Sequence, residues 1–261
     1  MTVNNISSNQ LNNSMIRIAT GQRINSASDD AAGLAISEKL TAQIRGLDQG
    51  TRNVMDMQSL VNTAEGALSN ISESLHRIRE LTLQASNGIL TDSDRQNIQH
   101  EIDQLMREID DTASRTEFNT MRLLDGSFSA EDGRGLHVAA DASGRGPTVN
   151  INNMSTGMIM GPEPFNVVTG EFDLQRVDDA LARVSNERAY LGAMSNRFDT
   201  TIASNQITNL NLSAARSGIR DADIALEVMR MEQQKAIEQV QIAVQRREQD
   251  QQGAQIASML P

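Results

Sequence analysis

Cysteine is absent from the 261 residues, tryptophan is absent too, and aromatic residues make up only 2%, with Tyr190 the single tyrosine. Without cysteine there is no disulfide, no thiolate nucleophile and no Cys-based metal centre. With so few large rings, the apolar interior must be built from Leu, Ile, Val, Met and Ala. These suit narrow helix–helix seams better than a roomy globular core. No run approaches the ~18 apolar residues that a membrane-spanning helix needs. Positive charge is in deficit, with Lys+Arg 23 against Asp+Glu 34 and a net charge of −11. That balance argues against nucleic acid or an anionic membrane surface as the main partner. Met1–Ser14 is rich in Asn and Ser and has neither a basic nor an apolar block, so it does not read as a secretory signal peptide. The chain is expected either to be cytoplasmic or to leave the cell by a route that uses no cleaved signal.

What punctuation the chain has is concentrated in its middle. Eight of the 17 Gly and three of the four Pro fall between Gly126 and Gly170. Residues 1–116 and 173–260 carry helical apolar spacing instead. Val54, Met57, Val61, Ala64, Leu68, Ile71, Leu75 and Ile78 alternate steps of three and four. That is the coiled-coil period, which favours a left-handed supercoil. Ile98, Ile102, Leu105, Ile109 and Thr112 repeat it, as do Leu174, Val177, Leu181 and Val184, and later Phe198 and Ile202. A helix from about Asp29 to about Ala85 would be roughly 85 Å long. Partner helices must run beside it, because neither end can bury its stripe alone. The fold class predicted is mainly α: an elongated antiparallel helical rod or coiled-coil bundle made by both chain ends, with a small β-hairpin region between them.

The boundaries follow from local chemistry. Residues about 1–20 form a weak helix, with a break from Gly21 to Ser28. Ser28-Asp29-Asp30 offers an N-cap and first-turn acids for the long helix. Asn87-Gly88 ends it, and Ser93 with Gln96 makes a capping box for a helix running to about Arg115. Asp125-Gly126 is a turn signal. Leu136-His137-Val138 and Thr148-Val149-Asn150-Ile151 read as hairpin strands. Helix resumes near Asp173, pauses around Ser217-Gly218, and continues to about Ser258 with Asp221 and Asp223 as first-turn acids. The domain organisation expected is an inner segment 1–28, one half of the rod at 29–172 including the hairpin region 120–172, the other half at 173–216, and a final inner helix at 217–261.

Catalytic constellations are thin. His100-Glu101 begins like the H-E-x-x-H zinc motif, but position 104 is Gln. His76, His100 and His137 are isolated, and no third ligand accompanies any pair of them. Asp221 and Asp223 do not face each other on a helix. Gly144-Arg145-Gly146 does not open a helix after a strand and is no phosphate loop. No catalytic, metal or cofactor site is predicted, and the thirteen Met are read as seam filling.

The run Thr20-Gly21-Gln22-Arg23-Ile24-Asn25-Ser26-Ala27-Ser28-Asp29-Asp30-Ala31-Ala32-Gly33-Leu34-Ala35-Ile36-Ser37 resembles the N-terminal signature of bacterial flagellins. Thr63-Ala64-Glu65-Gly66-Ala67-Leu68, Arg77-Ile78-Arg79-Glu80-Leu81 and Glu117-Phe118-Asn119 look like its continuation. Leu191-Gly192-Ala193, Asn196-Arg197 and Ile219-Arg220-Asp221-Ala222-Asp223 are similar to the C-terminal signature. The run Ala85-Ser86-Asn87-Gly88-Ile89 with Asp94-Arg95-Gln96 looks closest to the short core flagellins of spirochaetes. The resemblance covers nearly the whole chain. It implies a filament subunit without large outer domains, exported unfolded through the flagellar type III apparatus. The implied partners are copies of itself, a flagellin chaperone, the filament cap and the hook-junction proteins. The implied location is the extracellular filament, or a periplasmic flagellum if spirochaete-like. Two features depart from the family: the segment before Thr20 is shorter than usual, and Arg246-Arg247-Glu248-Gln249-Asp250-Gln251-Gln252 is more polar. The alternatives are the hook–filament junction protein and, from another class, a cytoplasmic coiled-coil adaptor.

A contact between unlike faces generates an open helix rather than a ring. The residues expected to carry that self-assembly are Ile6, Leu11, Met15, Ile18, Ile224, Val228, Met231, Ile237 and Val240. In flagellins sensed by the flagellin-specific Toll-like receptor, the first helical hairpin presents an Arg, a Leu and a Glu. By motif these fall on Arg77, Leu81 and Glu101. Leu81 is expected either as the apolar anchor beside Arg77, one helical turn away, or packed inside with Arg77 paired to Glu101 across the hairpin.

Overall fold

The computed structural model describes residues 2–130 and 133–258, and the side chains of 11–130 and 133–251. Helices α1 (Thr2–Thr20), α2 (Ala31–Ala85) and α3 (Asp92–Arg115) come from the N-terminal half. Helices α5 (Leu174–Arg220) and α6 (Ile224–Ser258) come from the C-terminal half. Between them lie strands β1 (Glu117–Phe118), β2 (Met121–Arg122), β3 (Leu136–His137) and β4 (Thr148–Val149), then the short helix α4 (Thr156–Ile159). The chain is mainly helical, as its periodicity predicts, with two small antiparallel strand pairs in the middle, β1–β2 and β3–β4. It divides into two compact units: a terminal unit of residues 1–44 and 210–261, and a central unit of residues 45–209.

The central unit is built on the predicted seam. Val54, Val61, Ala64, Leu68, Ile71, Leu75 and Ile78 are all essentially inaccessible, and Met57 packs against them. Ile98, Ile102 and Ile109 of α3, and Val177, Val184, Leu191 and Phe198 of α5, join the same core. The middle region contributes too, through Leu123, Leu124, Val138, Val149, Ile151 and Val167. Polar ties flank the seam: Arg79 Nε donates to Asp178 at 2.6 Å, and Gln58 Nε2 to Asp199 at 2.8 Å.

Helix ends depart from the sequence expectation more than helix faces do. The α3 capping box is Thr91 with Asp94, not Ser93 with Gln96: the Thr91 hydroxyl accepts from Asp94 N, and the Asp94 carboxylate accepts from Thr91 N at 3.0 Å. The Thr91 hydroxyl, which also donates to the Asp94 carboxylate at 2.7 Å, and then the Thr91 backbone N–H hold that carboxyl below its ordinary range. α5 does not pause at Ser217-Gly218 but runs to Arg220. Asp223, rather than sitting in the first turn of α6, caps it by accepting from Leu226 N at 3.2 Å. Asp221 lies outside both helices and accepts from the Ser217 hydroxyl.

Hairpin β1–β2 is an addition to the elements expected from sequence. Its two turn residues, Asn119 (φ 49°) and Thr120 (φ 65°), both sit in the left-handed region, as a type I′ turn demands. Asn tolerates that region, whereas a β-branched Thr there is strained by about 1–3 kcal/mol. Thr120→Gly is therefore expected to raise stability by about 1 kcal/mol in denaturant unfolding. A loss of stability would contradict this account of the turn.

Candidate assembly and recognition surfaces

In the terminal unit the two halves of the chain are spliced by backbone. Arg23 N donates to Arg220 O at 2.7 Å and Ala222 N to Gly21 O at 2.9 Å, around a bridge between Gln22 and Asp221. The Arg23 guanidinium donates to Ile219 O at 2.6 Å. Arg220 answers from the other side, reaching Gln22 Oε1 at 3.0 Å and Glu38 Oε1 at 2.9 Å. Ile24 is fully buried beneath this splice. The segment Gly21–Ser28, which reads from sequence as a break, is thus a joint between the two signature motifs. Asp29 organises it by accepting from the backbone N–H of Ser26 (2.9 Å) and Asn25 (3.1 Å). Those bonds hold its carboxyl below the usual range, with Arg17 adding a smaller effect. Asp30 caps α2 by accepting from Gly33 N at 2.8 Å. A Cβ at Gly33 would stand 2.4 Å from Asp30 Oδ2 and 2.8 Å from Ile24 Cδ1, so the glycine leaves room for both the cap and the buried isoleucine.

α1 and α6 pack together in the same unit. Of the side chains expected to carry assembly, Leu11 and Ile18 of α1 and Met231 of α6 are partly covered. Met15, Ile224, Val228, Ile237 and Val240 are exposed, at 37–62%. Ile6 belongs to α1, but its side chain lies outside the described residues. Sequence reasoning missed Leu226, Met229, Ile242 and Val244, which are exposed on α6 as well. Leu226, Met229, Ile237, Val240 and Val244 lie on one face, at steps of three and four with Gln233 completing the series. That repeat was the signal available.

In the central unit, Arg77 and Glu101 meet across the α2–α3 hairpin. Arg77 Nε and Nη2 both donate to Glu101 Oε1, at 2.8 and 2.7 Å, and Nη1 reaches Glu80 at 3.2 Å. Glu101, then Glu80, raise the Arg77 pKa above its ordinary value. Leu81 is 2% exposed, so of the two arrangements the sequence allows it packs inside while Arg77 pairs with Glu101. The reason is register, since Leu81 continues the buried series of Ile78 and Ala85 while Arg77 stands at the rim. Leu83 and Ile89 are the exposed apolar side chains nearby in sequence.

His76, His100 and His137 are all exposed. Among the described residues no three His, Cys, Asp or Glu side chains are grouped to hold a metal ion, and no helix is long and apolar enough to cross a membrane. The buried Glu187 is engaged by Asn152, accepting from its backbone at 3.2 Å and its side chain at 2.7 Å.

Comparison with known proteins agrees with this arrangement of two helical ends. The family model for the bacterial flagellin N-terminal helical region matches residues 1–129, and that for the C-terminal helical region matches residues 174–256. The chain is 37% identical over 257 residues to the flagellar filament 30.7 kDa core protein of Treponema maltophilum, covering 92% of this chain and 88% of the relative. It is 41% identical over 228 residues to a flagellin of Halalkalibacterium halodurans, covering 86% and 82%. A flagellar hook-associated protein of Vibrio parahaemolyticus, of putative assignment, shares the fold with a TM-score of 0.58 at 19% identity, over 74% of this chain and 100% of that one. The matched regions carry both signature motifs that the terminal unit splices together, and the chain belongs to the bacterial flagellins.

Proposed function

We propose that copies of this chain polymerise through α1 and α6 and that the outward apolar side chains of α6 are the driving surface. As a flagellin the chain is a structural subunit of the flagellar filament. The observation that carries the proposal is the run of exposed aliphatic side chains on α6 from Ile224 to Val244. Each large aliphatic side chain that a neighbouring copy covers contributes roughly 1.5–3 kcal/mol. A patch of this kind on a soluble chain is normally an interaction surface. Met15 and Ile16 are exposed on α1 as well. A variant ending at Asp223 is expected to leave no filaments in the pellet after sedimentation, while its central unit keeps its helical signal. Normal filament formation by that variant would overturn the proposal.

Export through the flagellar type III apparatus with a chaperone, contact with cap and hook-junction proteins, and an extracellular or periplasmic location follow from the same reading. Recognition by a flagellin-sensing Toll-like receptor falls on Arg77 and Glu101. Leu81 then acts from beneath, by holding α2 where Arg77 meets Glu101. Charge reversal at Arg77 is expected to abolish receptor signalling.

A further inference from the structure

Of the asparagines in the chain, only Asn87 precedes a glycine. The Asn87–Gly88 pair lies between α2 and α3, outside both helices, and both residues are exposed. The Gly88 amide nitrogen has no hydrogen-bond partner among the described residues. The space beside Gly88 is open, since a Cβ there would meet nothing within 4 Å. The Asn87 side chain folds back over the same peptide, and its Oδ1 accepts from Ile89 N at 3.3 Å. That Asx turn holds the side-chain carbonyl over Gly88. The Ile89 N–H therefore points at the oxygen that turns negative if the Gly88 nitrogen adds to Asn87 Cγ. Other asparagines of the central unit lack this combination. Asn53, Asn70 and Asn97 lie inside helices, where the next amide is bonded in the helix ladder. Asn119 precedes the β-branched Thr120. Asn152 has its amide tied to the buried Glu187 at 2.7 Å.

We propose that Asn87–Gly88 is a site of self-modification, at which the asparagine loses its side-chain amide and loosens the tip of the α2–α3 hairpin. Hydroxide takes the proton from the Gly88 nitrogen. The nitrogen's electron pair adds to Asn87 Cγ, and the charge passes to Oδ1, opposite the Ile89 N–H. The Cγ–Nδ2 bond then breaks, and the leaving nitrogen takes a proton from water and departs as ammonia. What remains is a five-membered cyclic imide. Water adds to either of its carbonyl carbons and opens it, giving aspartate when the bond to Cγ breaks and isoaspartate when the main-chain bond breaks. The net change consumes one water and releases one ammonia, and nothing is oxidised or reduced. Either product sets a negative charge just past the C-terminal end of α2, against the negative end of its dipole. Isoaspartate also inserts a methylene into the main chain. That strains the bonds which shape the turn: Asn87 N to Gln84 O at 3.1 Å, Leu90 N to Asn87 O at 3.3 Å, and Arg95 Nη2 to Asn87 O at 3.5 Å. Leu90 packs against the core beside them. The inference depends neither on assembly nor on receptor recognition.

The test incubates the purified full-length chain at neutral and at mildly alkaline pH. Tandem mass spectrometry of digests reads the exchange of the side-chain NH2 for OH at each asparagine, and an isoaspartate-specific methyltransferase reads the isomer. Residue 87 is expected to convert on the order of tenfold faster than any other asparagine of residues 45–209. Its rate is expected to rise with pH, because loss of the Gly88 amide proton starts the reaction. Gly88→Ala fits the open space and the backbone, which is not left-handed there. It is expected to slow conversion on the order of tenfold by crowding the nitrogen. Ile89→Pro keeps the Asn–Gly pair but removes the N–H that faces Oδ1, and is expected to slow conversion as well. If Ile89→Pro loses its helices by circular dichroism, Gly88→Ala alone decides. The incubated chain is expected to unfold at a lower urea midpoint than the fresh chain, and incubated Gly88→Ala at an unchanged one. An undiminished rate in a folded variant overturns the proposal. So does a folded chain that keeps its amide at residue 87 while the urea-unfolded chain loses it. An unchanged midpoint after conversion overturns the loosening of the hairpin.

Discussion

Gly50→Ala is expected to destabilise the central unit by about 2 kcal/mol, although glycine to alanine inside a helix ordinarily stabilises by about 1 kcal/mol. The sign is reversed by what lies against α2. A Cβ at Gly50 would stand 2.2 Å from the carbonyl oxygen of Ala140 and 2.6 Å from its carbon. One turn earlier, a Cβ at Gly46 would stand 2.5 Å from Ala142 Cβ. The two glycines form a notch that receives the loop after β3. That loop cannot give way cheaply: Asn53 Nδ2 donates to Ala139 O at 2.9 Å, and the buried Asn205 donates to Ala140 O at 2.8 Å. Lifting the loop breaks the shorter of the two Asn205 bonds and leaves that buried amide only its 3.4 Å contact with Thr51 Oγ1, at a cost of about 1 kcal/mol. Gly66, on the same helix, faces open space, and a Cβ there would meet nothing within 4 Å. Gly66→Ala is therefore expected to stabilise by about 0.5–1 kcal/mol. Urea unfolding of the two variants should shift the midpoint in opposite directions, and a stabilised Gly50→Ala would contradict the notch.

Phe198→Ala is expected to cost about 3–5 kcal/mol, the largest effect of any single substitution considered. In a chain with 2% aromatic residues, Phe198 is a fully buried ring in the core that α2, α3 and α5 share. Its removal takes away both the transfer free energy of the ring and the contacts around the cavity left behind. Denaturant unfolding followed by circular dichroism measures it. A cost below about 1 kcal/mol would show that the site collapses onto itself, and that the seam is looser than its burial implies.

Helix faces are legible in the sequence because their period is a sum over many residues. Val54 to Ile78 alternate threes and fours without interruption, and every one of them is buried or packed against the core. Helix ends depend on one or two bonds and are less legible. Thr91-x-x-Asp94 and Ser93-x-x-Gln96 both satisfy a capping pattern in the sequence, and only the reach of the Asp94 carboxylate selects the first. Leu81 shows a different limit. Spacing places it on one face with Arg77, but it does not say where on that face the surface ends and the seam begins. On α6 two stripes compete, an apolar one and a polar one. The usual rule turns the apolar stripe inward. The structure turns the polar stripe toward α1, because Ser14 and Arg17 on a segment more than two hundred residues away supply the partners for Glu227. No local window contains that information. The splice of Gly21–Arg23 with Ile219–Ala222 escapes periodicity for the same reason: it is a long-range backbone pairing.

The central claim is that the exposed series on α6 is covered by other copies of the chain. Backbone hydrogen exchange compares the soluble chain with pelleted filaments and reads this directly. The account predicts that amides from Ile224 to Val244 gain the largest protection on assembly, with α1 gaining alongside. Filaments in which α6 exchanges as fast as in the soluble chain, while new protection falls within residues 45–209 alone, would contradict it.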